Sequence, residues 1–174
     1  MKNYKVSIIM GSDSDLKIMS PAMDVLKEFG IESEVAILSA HRTPELLDSY
    51  VKGLKDRGIM VVIAGAGGAA ALPGVVASIT PLPVIGVPIK SSISIDGWDS
   101  ILSILQMPSG IPVATMSLNG SKNSGLLAAR IIALGDVSLT NKLNEYIIDM
   151  KIKVIKSNDA ISNMGYNAAE FEII

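Results

Sequence analysis

IMVVIAGAGGAAALPGVVASI (residues 59–79) runs from a string of β-branched residues into a helix-forming stretch without meeting one charged side chain. Residues 59–65 have the continuous apolar character of a strand buried on both faces, and residues 72–79 that of a packed helix. The intervening GAGGAAALPG (65–74) is small enough for a tight strand-to-helix turn. The same join recurs outward along the chain. YKVSIIM (4–10) leads into an amphipathic stretch from Leu16 to Phe29 that stops at Gly30. SEVAIL (33–38) leads into PELLDSYVKGLKDRG (44–58), where Leu46, Leu47, Tyr50, Val51 and Leu54 form a helical stripe. PVIGVP (83–88) precedes WDSILSILQM (98–107), and IPVATMSL (111–118) precedes a helix over roughly 123–134. Alternating strands and helices with right-handed crossovers predict an α/β fold, a doubly wound parallel sheet with helices on both faces.

After Gly135 no strand pattern remains. SLTNKLNEYIIDMKIKVIKS, from about residue 138, predicts a long helix followed by an irregular tail that packs on a neighbouring subunit. With no linker or repeat, residues 1–174 read as a single domain. The formal net charge of −2 offers no general attraction to nucleic acid or to an anionic membrane. One histidine and no cysteine exclude disulfides and thiolate chemistry and argue against a zinc site. The first residues reach polar ones too soon for a signal peptide or membrane span, so a cytoplasmic protein is expected. A mean hydropathy of +0.44 with 18% charged residues is apolar for a lone soluble chain and predicts burial between subunits.

In a parallel sheet, ligands bind beyond the carboxyl ends of the strands. Three unusual stretches fall at that edge. In GSDSD (11–15), Gly11 permits a tight turn, Ser12 and Ser14 offer hydroxyls, and Asp13 or Asp15 can accept bonds from a sugar. The same residues also suit helix capping. In SAHRTP (39–44), Pro44 fits the first helical position and Thr43 its cap, leaving His41 and Arg42 in the loop ahead. Arginine forks onto phosphate, and imidazole is the side chain that gives and takes protons near neutrality. GAGGAAALPG lets backbone approach a ligand, with a helix amino terminus favouring an anion. It is neither a G-x-G-x-x-G fingerprint nor a P-loop.

Taken together, MGSDSD, SAHRTP, AGAGGAAALPGVVA, PVIGVP and SILQMPSGIPVATM resemble the class I N5-carboxyaminoimidazole ribonucleotide mutases, over about residues 4–135. The resemblance implies a flavodoxin-like three-layer α/β/α sandwich that assembles as an octamer with active sites at subunit junctions. It implies a cofactor-free, metal-free isomerase of purine biosynthesis, coupled to an ATP-dependent carbamate-forming synthetase. Such an enzyme moves a carboxylate from the exocyclic nitrogen of the ribotide to C4 of its imidazole. By resemblance, Ser12 and Asp15 bind the ribotide, Arg42 grips its phosphate, and Ser39 lies beside that group. The backbone from Gly65 through Ala66, Gly67 and Ala70 to Leu72 closes around the imidazole and carboxylate, and His41 is the catalytic histidine. QMPSG (106–110) matches a segment near the site. The chain departs from the family's usual G-G-A-A-H-L-P-G by carrying Ala71 at the histidine position, which leaves proton transfer to His41 or to water.

Three rivals stand beside this expectation. A class II enzyme carboxylates aminoimidazole ribonucleotide directly with CO2, although the GGAAALPG loop sides with class I. A flavodoxin-like module would bind flavin or a phosphosugar without catalysis, and 4% aromatic residues leave few partners to stack on flavin. A degenerate, structural member of the mutase family would bind ribotide without turning it over.

Overall fold

The computed structural model describes residues 5–167, 169 and 171, with one compact unit running to Ile132 and a second beginning at Ala133. Five parallel strands build the first unit: β1 (Val6–Met10), β2 (Ser33–Ile37), β3 (Val61–Gly67), β4 (Val84–Ile89) and β5 (Ala114–Thr115). They lie in the order β2-β1-β3-β4-β5, the flavodoxin-like arrangement whose winding reverses between β1 and β3. Register is direct: Val6 to Met10 face Ser33 to Ile37 on one side and Val61 to Gly65 on the other.

Helices α1 (Leu16–Glu28), α2 (Pro44–Lys52), α3 (Leu72–Ile79), α4 (Trp98–Leu105) and α5 (Ser121–Ala133) follow the strands in turn. On one sheet face Ile9, Val62 and Ala64 pack with Leu47 and Val51 of α2, Leu72 and Val76 of α3, and Ile104 of α4. On the other, Met19 of α1 lies against Gly65, so closely that a Cβ built there would fall 2.4 Å from its sulfur. Gly125 of α5 likewise sits against the Ala22 backbone of α1, where a Cβ would meet the carbonyl oxygen at 2.8 Å. These two glycines let the α1 layer close.

Two elements fall well short of their patterns. The stripe from 44 to 58 is helical only to Lys52, because the chain turns at Gly53 and again at Gly58, with φ +81°. That turn brings Arg57 back onto the sheet edge, where its Nη2 donates to Glu34 Oε1 at 2.9 Å and its guanidinium covers the Tyr50 ring at 4.5 Å. The Tyr50 hydroxyl donates to Glu34 at 2.6 Å and lies 2.9 Å from Ser7 Oγ of β1. Burial works to raise the Glu34 carboxyl, but the bonds from Arg57 and Tyr50 outweigh it and hold it below its ordinary 4.5. Burial and the neighbouring Glu34 push Tyr50 up to about 12. This network pins α2 to β1 and β2. The expected fifth strand over 111–118 keeps only Ala114 and Thr115, since Pro112 supplies no N–H and the edge has a single neighbour. Bonds from Met116 N–H to the Gly86 carbonyl at 2.9 Å and from Asn119 N–H to the Pro88 carbonyl at 2.8 Å extend the contact beyond the two strand residues.

The second unit is dominated by α6 (Val137–Asn163), the long helix expected after residue 138. Asp136 caps it by accepting the Leu139 N–H at 3.0 Å. Ile148, Met150, Val154 and Ile161 are exposed along it. No helix among the described residues is long and apolar enough to cross a membrane.

Candidate active site

The loops after β1, β2 and β3 converge at the carboxyl edge of the sheet, around a cavity of about 370 Å³. After β1 the chain makes one 3₁₀ turn (Asp13–Asp15) before α1. Ser12 caps that turn by accepting the Ser14 N–H at 3.3 Å, and it also lines the cavity. Asp15 lines the cavity too and is only 7% exposed. Its carboxyl is raised above the ordinary 3.8 by burial, with bonds from the Ser12 and Gly11 N–H groups working against the shift.

After β2, Thr43 stands at the cap position of α2, but its hydroxyl bonds no helix N–H. This corrects the capping expectation. Instead Thr43 Oγ1 accepts the Ser39 N–H at 3.0 Å and donates to the Ser39 carbonyl at 3.1 Å, closing the loop on itself. Ser39 Oγ in turn accepts the Arg42 N–H at 3.2 Å and its Nε–H at 3.4 Å. Arg42 Nη2 reaches across to the Gly11 carbonyl at 3.0 Å. The guanidinium therefore ties the second loop to the first while the rest of its five N–H donors stay available to an anion. His41, at the tip, is exposed, lines the cavity and makes no side-chain hydrogen bond to the described residues.

After β3, Ala66, Gly67, Ala70, Ala71 and Leu72 supply an apolar wall. Gly68 and Ala70 hold left-handed backbone, with φ +60° and +45°. For Ala70 that conformation costs roughly 1–2 kcal/mol, which the surrounding packing must impose. Gly65, expected with this loop, is not part of the wall. It lies one layer deeper, under Met19 and Ile89, where its missing Cβ makes room for packing. Residues 106–110 do not line the cavity either, and Met107 packs against Gly74 of α3.

A fourth side of the cavity is formed by Ser91, Ser92 and Ile93 after β4, which the sequence reading passed over. The available signal was positional: KSSISIDG (90–97) follows a buried strand at the same sheet edge as the other three loops. Gly67 makes this juxtaposition possible, since a Cβ there would meet Ser91 Cβ at 2.8 Å and the Ile89 carbonyl at 2.9 Å. The finished site is lined by a cation, an imidazole, a sequestered carboxyl, hydroxyls and an apolar stretch of backbone.

The sequence model of the AIR carboxylase family matches residues 5–153. The chain belongs to that family. Within it, the chain is 54% identical over 168 residues to a Pyrococcus horikoshii protein named N5-carboxyaminoimidazole ribonucleotide mutase, covering 95% of this chain and 94% of that one. A Thermotoga maritima protein of the same name is 52% identical over 162 residues, with 93% and 94% covered. Among solved structures, Treponema denticola PurE superposes with a TM-score of 0.79 at 35% identity, covering 89% of this chain and 96% of that one.

Asp15 yields a two-sided prediction. An acid whose folded pKa is raised lends stability that is complete below its unfolded value and lost as pH rises through the folded value. At neutral pH the ionised Asp15 is thus a cost to folding. Asp15→Asn is expected to raise the melting temperature at neutral pH, with the gain shrinking as pH falls through the raised folded value and gone below the ordinary 3.8. The same substitution removes an anionic acceptor from the cavity and should raise KM for a ribotide roughly tenfold or more, the worth of a charged hydrogen bond. Thermal melts at two pH values and steady-state kinetics check both halves.

Proposed function

We propose that this chain converts N5-carboxyaminoimidazole ribonucleotide to 4-carboxyaminoimidazole ribonucleotide in purine biosynthesis. The observation that carries the reading is the identity of 52% and 54% to mutases of that name, over 94% of their lengths. The cavity supports it. Arg42 offers a fork to the ribotide phosphate, Ser12 and Ser39 offer hydroxyls beside it, and Asp15 accepts from the ribose hydroxyls. The backbone of Ala66, Gly67 and Ala70, with Leu72, encloses the imidazole and the carboxylate.

The chemistry balances without a cofactor. The bond between the exocyclic nitrogen and its carboxylate breaks, its electrons stay on nitrogen, and nitrogen takes a proton from His41. The freed CO2 stays beside the electron-rich ring, and C4 attacks it to form the new carbon–carbon bond. C4 then carries both hydrogen and carboxylate, and His41 removes the hydrogen as a proton to restore aromaticity. The imidazole ends as it began. Holding both fragments in one cavity makes the second step effectively unimolecular, an advantage of up to roughly 7–11 kcal/mol.

The exposed stripe Trp98, Leu102 and Leu105 on α4, spaced for one helix face, supports a homo-oligomer, and an octamer is the assembly proposed. Relatives in which this segment is 28–29% of a longer protein support coupling to a further activity, and the partner proposed is an ATP-dependent carbamate-forming synthetase. A cytoplasmic location is proposed with it. One observation favours the direct carboxylase instead: a Saccharomyces cerevisiae protein named phosphoribosylaminoimidazole carboxylase is also 52% identical, over 163 residues. Supplying the carboxyamino ribonucleotide in one assay, and aminoimidazole ribonucleotide with bicarbonate in another, separates the two. The mutase turns over the first at low CO2, and the carboxylase needs the second.

A further inference from the structure

We infer that residues 90–97 form a braced strap whose tip residue, Ile93, walls in the CO2 released in the cavity and so sets the partition between carboxylate transfer and carboxylate loss. The inference rests on the mutase reading and assigns a residue to a task that the ribotide-binding groups cannot perform.

The strap is fixed at both ends. Lys90 N–H donates to Asn119 Oδ1 at 3.0 Å, and the Lys90 ammonium pairs with the Asp96 carboxylate. Inside the strap, Ser94 Oγ accepts the Ser91 N–H at 3.0 Å and lies 3.0 Å from Ser91 Oγ, while the Ser94 N–H returns to the Ser91 carbonyl at 3.1 Å. Asp96 and Gly97, with φ +54° and +89°, then turn the chain into α4. Residues 91–94 are therefore a closed turn with Ser92 and Ile93 at its tip.

Ile93 lines the cavity yet is 82% exposed. Its Cδ1 overhangs the third loop, 3.4 Å from where a Cβ on Gly68 would stand. A large apolar side chain this exposed gains contacts when a ligand occupies the cavity beneath it. CO2 is small and uncharged, so Arg42 and Asp15, which can hold a phosphorylated sugar, exert little grip on it. Retention falls to apolar walls, and Ile93 is the large apolar side chain that the fourth loop contributes. If CO2 escapes after the nitrogen–carbon bond breaks, the remaining fragment is aminoimidazole ribonucleotide carrying the proton on nitrogen. If it is retained, C4 attacks it and transfer is completed.

The test incubates the full-length chain with unlabelled carboxyamino ribonucleotide in 13C-bicarbonate buffer. Mass spectrometry then reads the label in the C4-carboxylate and the free aminoimidazole ribonucleotide. Wild type is expected to give mostly unlabelled product. Ile93→Ala should raise both label uptake and free ribotide by roughly an order of magnitude, as expected when a water-excluding wall is opened. Ile93→Leu should restore the wild-type partition, and KM should stay within about twofold in both variants because no polar ribotide contact changes. An unchanged partition in Ile93→Ala overturns the strap. So does a changed partition that appears only with a loss of assembled mass by light scattering, since Ile93 would then act through assembly. A wild-type chain that forms no product from the carboxyamino ribonucleotide overturns the mutase reading itself, and the strap with it.

Discussion

His41→Asn is expected to lower kcat by 10²- to 10⁴-fold, the usual worth of a positioned general acid–base, while ribotide binding measured by calorimetry stays close to wild type. The split follows from geometry. His41 stands at the tip of the second loop with no bond to the described residues, so removing its imidazole disturbs no internal hydrogen bond. Arg42, one residue on, keeps its tie to the Gly11 carbonyl. Asparagine can donate and accept hydrogen bonds but cannot carry a proton from nitrogen to carbon. Near-native turnover in this variant would remove His41 from the mechanism and leave proton transfer to water.

Arg42→Ala should act on the other kinetic parameter. Loss of a charged hydrogen-bonding partner costs about 1.5–3 kcal/mol, or roughly 10- to 150-fold in KM for the ribotide. A secondary fall in kcat is expected, because the Gly11 tie that aligns the first two loops goes with it. Arg42→Lys should recover only part of the affinity, since an ammonium is a point charge without the planar fork. An unchanged KM in Arg42→Ala would place the phosphate elsewhere in the cavity.

The fold was legible because its central strands β3 and β4 are continuous apolar runs and its helices begin and end at recognisable residues. Gly30 stopping the first helix and Pro44 opening the second are two such signals. The errors arose where tertiary contacts override local pattern. The second helix ends at Lys52 although the stripe runs on, because the chain turns at Gly53 and Gly58 and the turn is held by Arg57 on Glu34 of the edge strand. Thr43 resembles a cap by type and position, yet its hydroxyl has a better partner in Ser39. Gly65 belongs to the glycine-rich stretch by sequence but faces Met19 rather than the cavity, since neighbouring strand residues point to opposite faces. The fourth loop went unread because serine and isoleucine carry no chemical signature, and only the strand order brings Ser91 and Ser92 to the same edge as His41.

In the proposed reaction one carboxylate leaves nitrogen and arrives at C4 within a single cavity. The most direct measurement supplies carboxyamino ribonucleotide labelled with 13C in its N-carboxylate, in unlabelled buffer without ATP, and follows the carboxylate resonance by NMR. The predicted result is a product whose C4-carboxylate retains the label. Product that carries only unlabelled carboxylate, formed at a rate set by added bicarbonate, would contradict it.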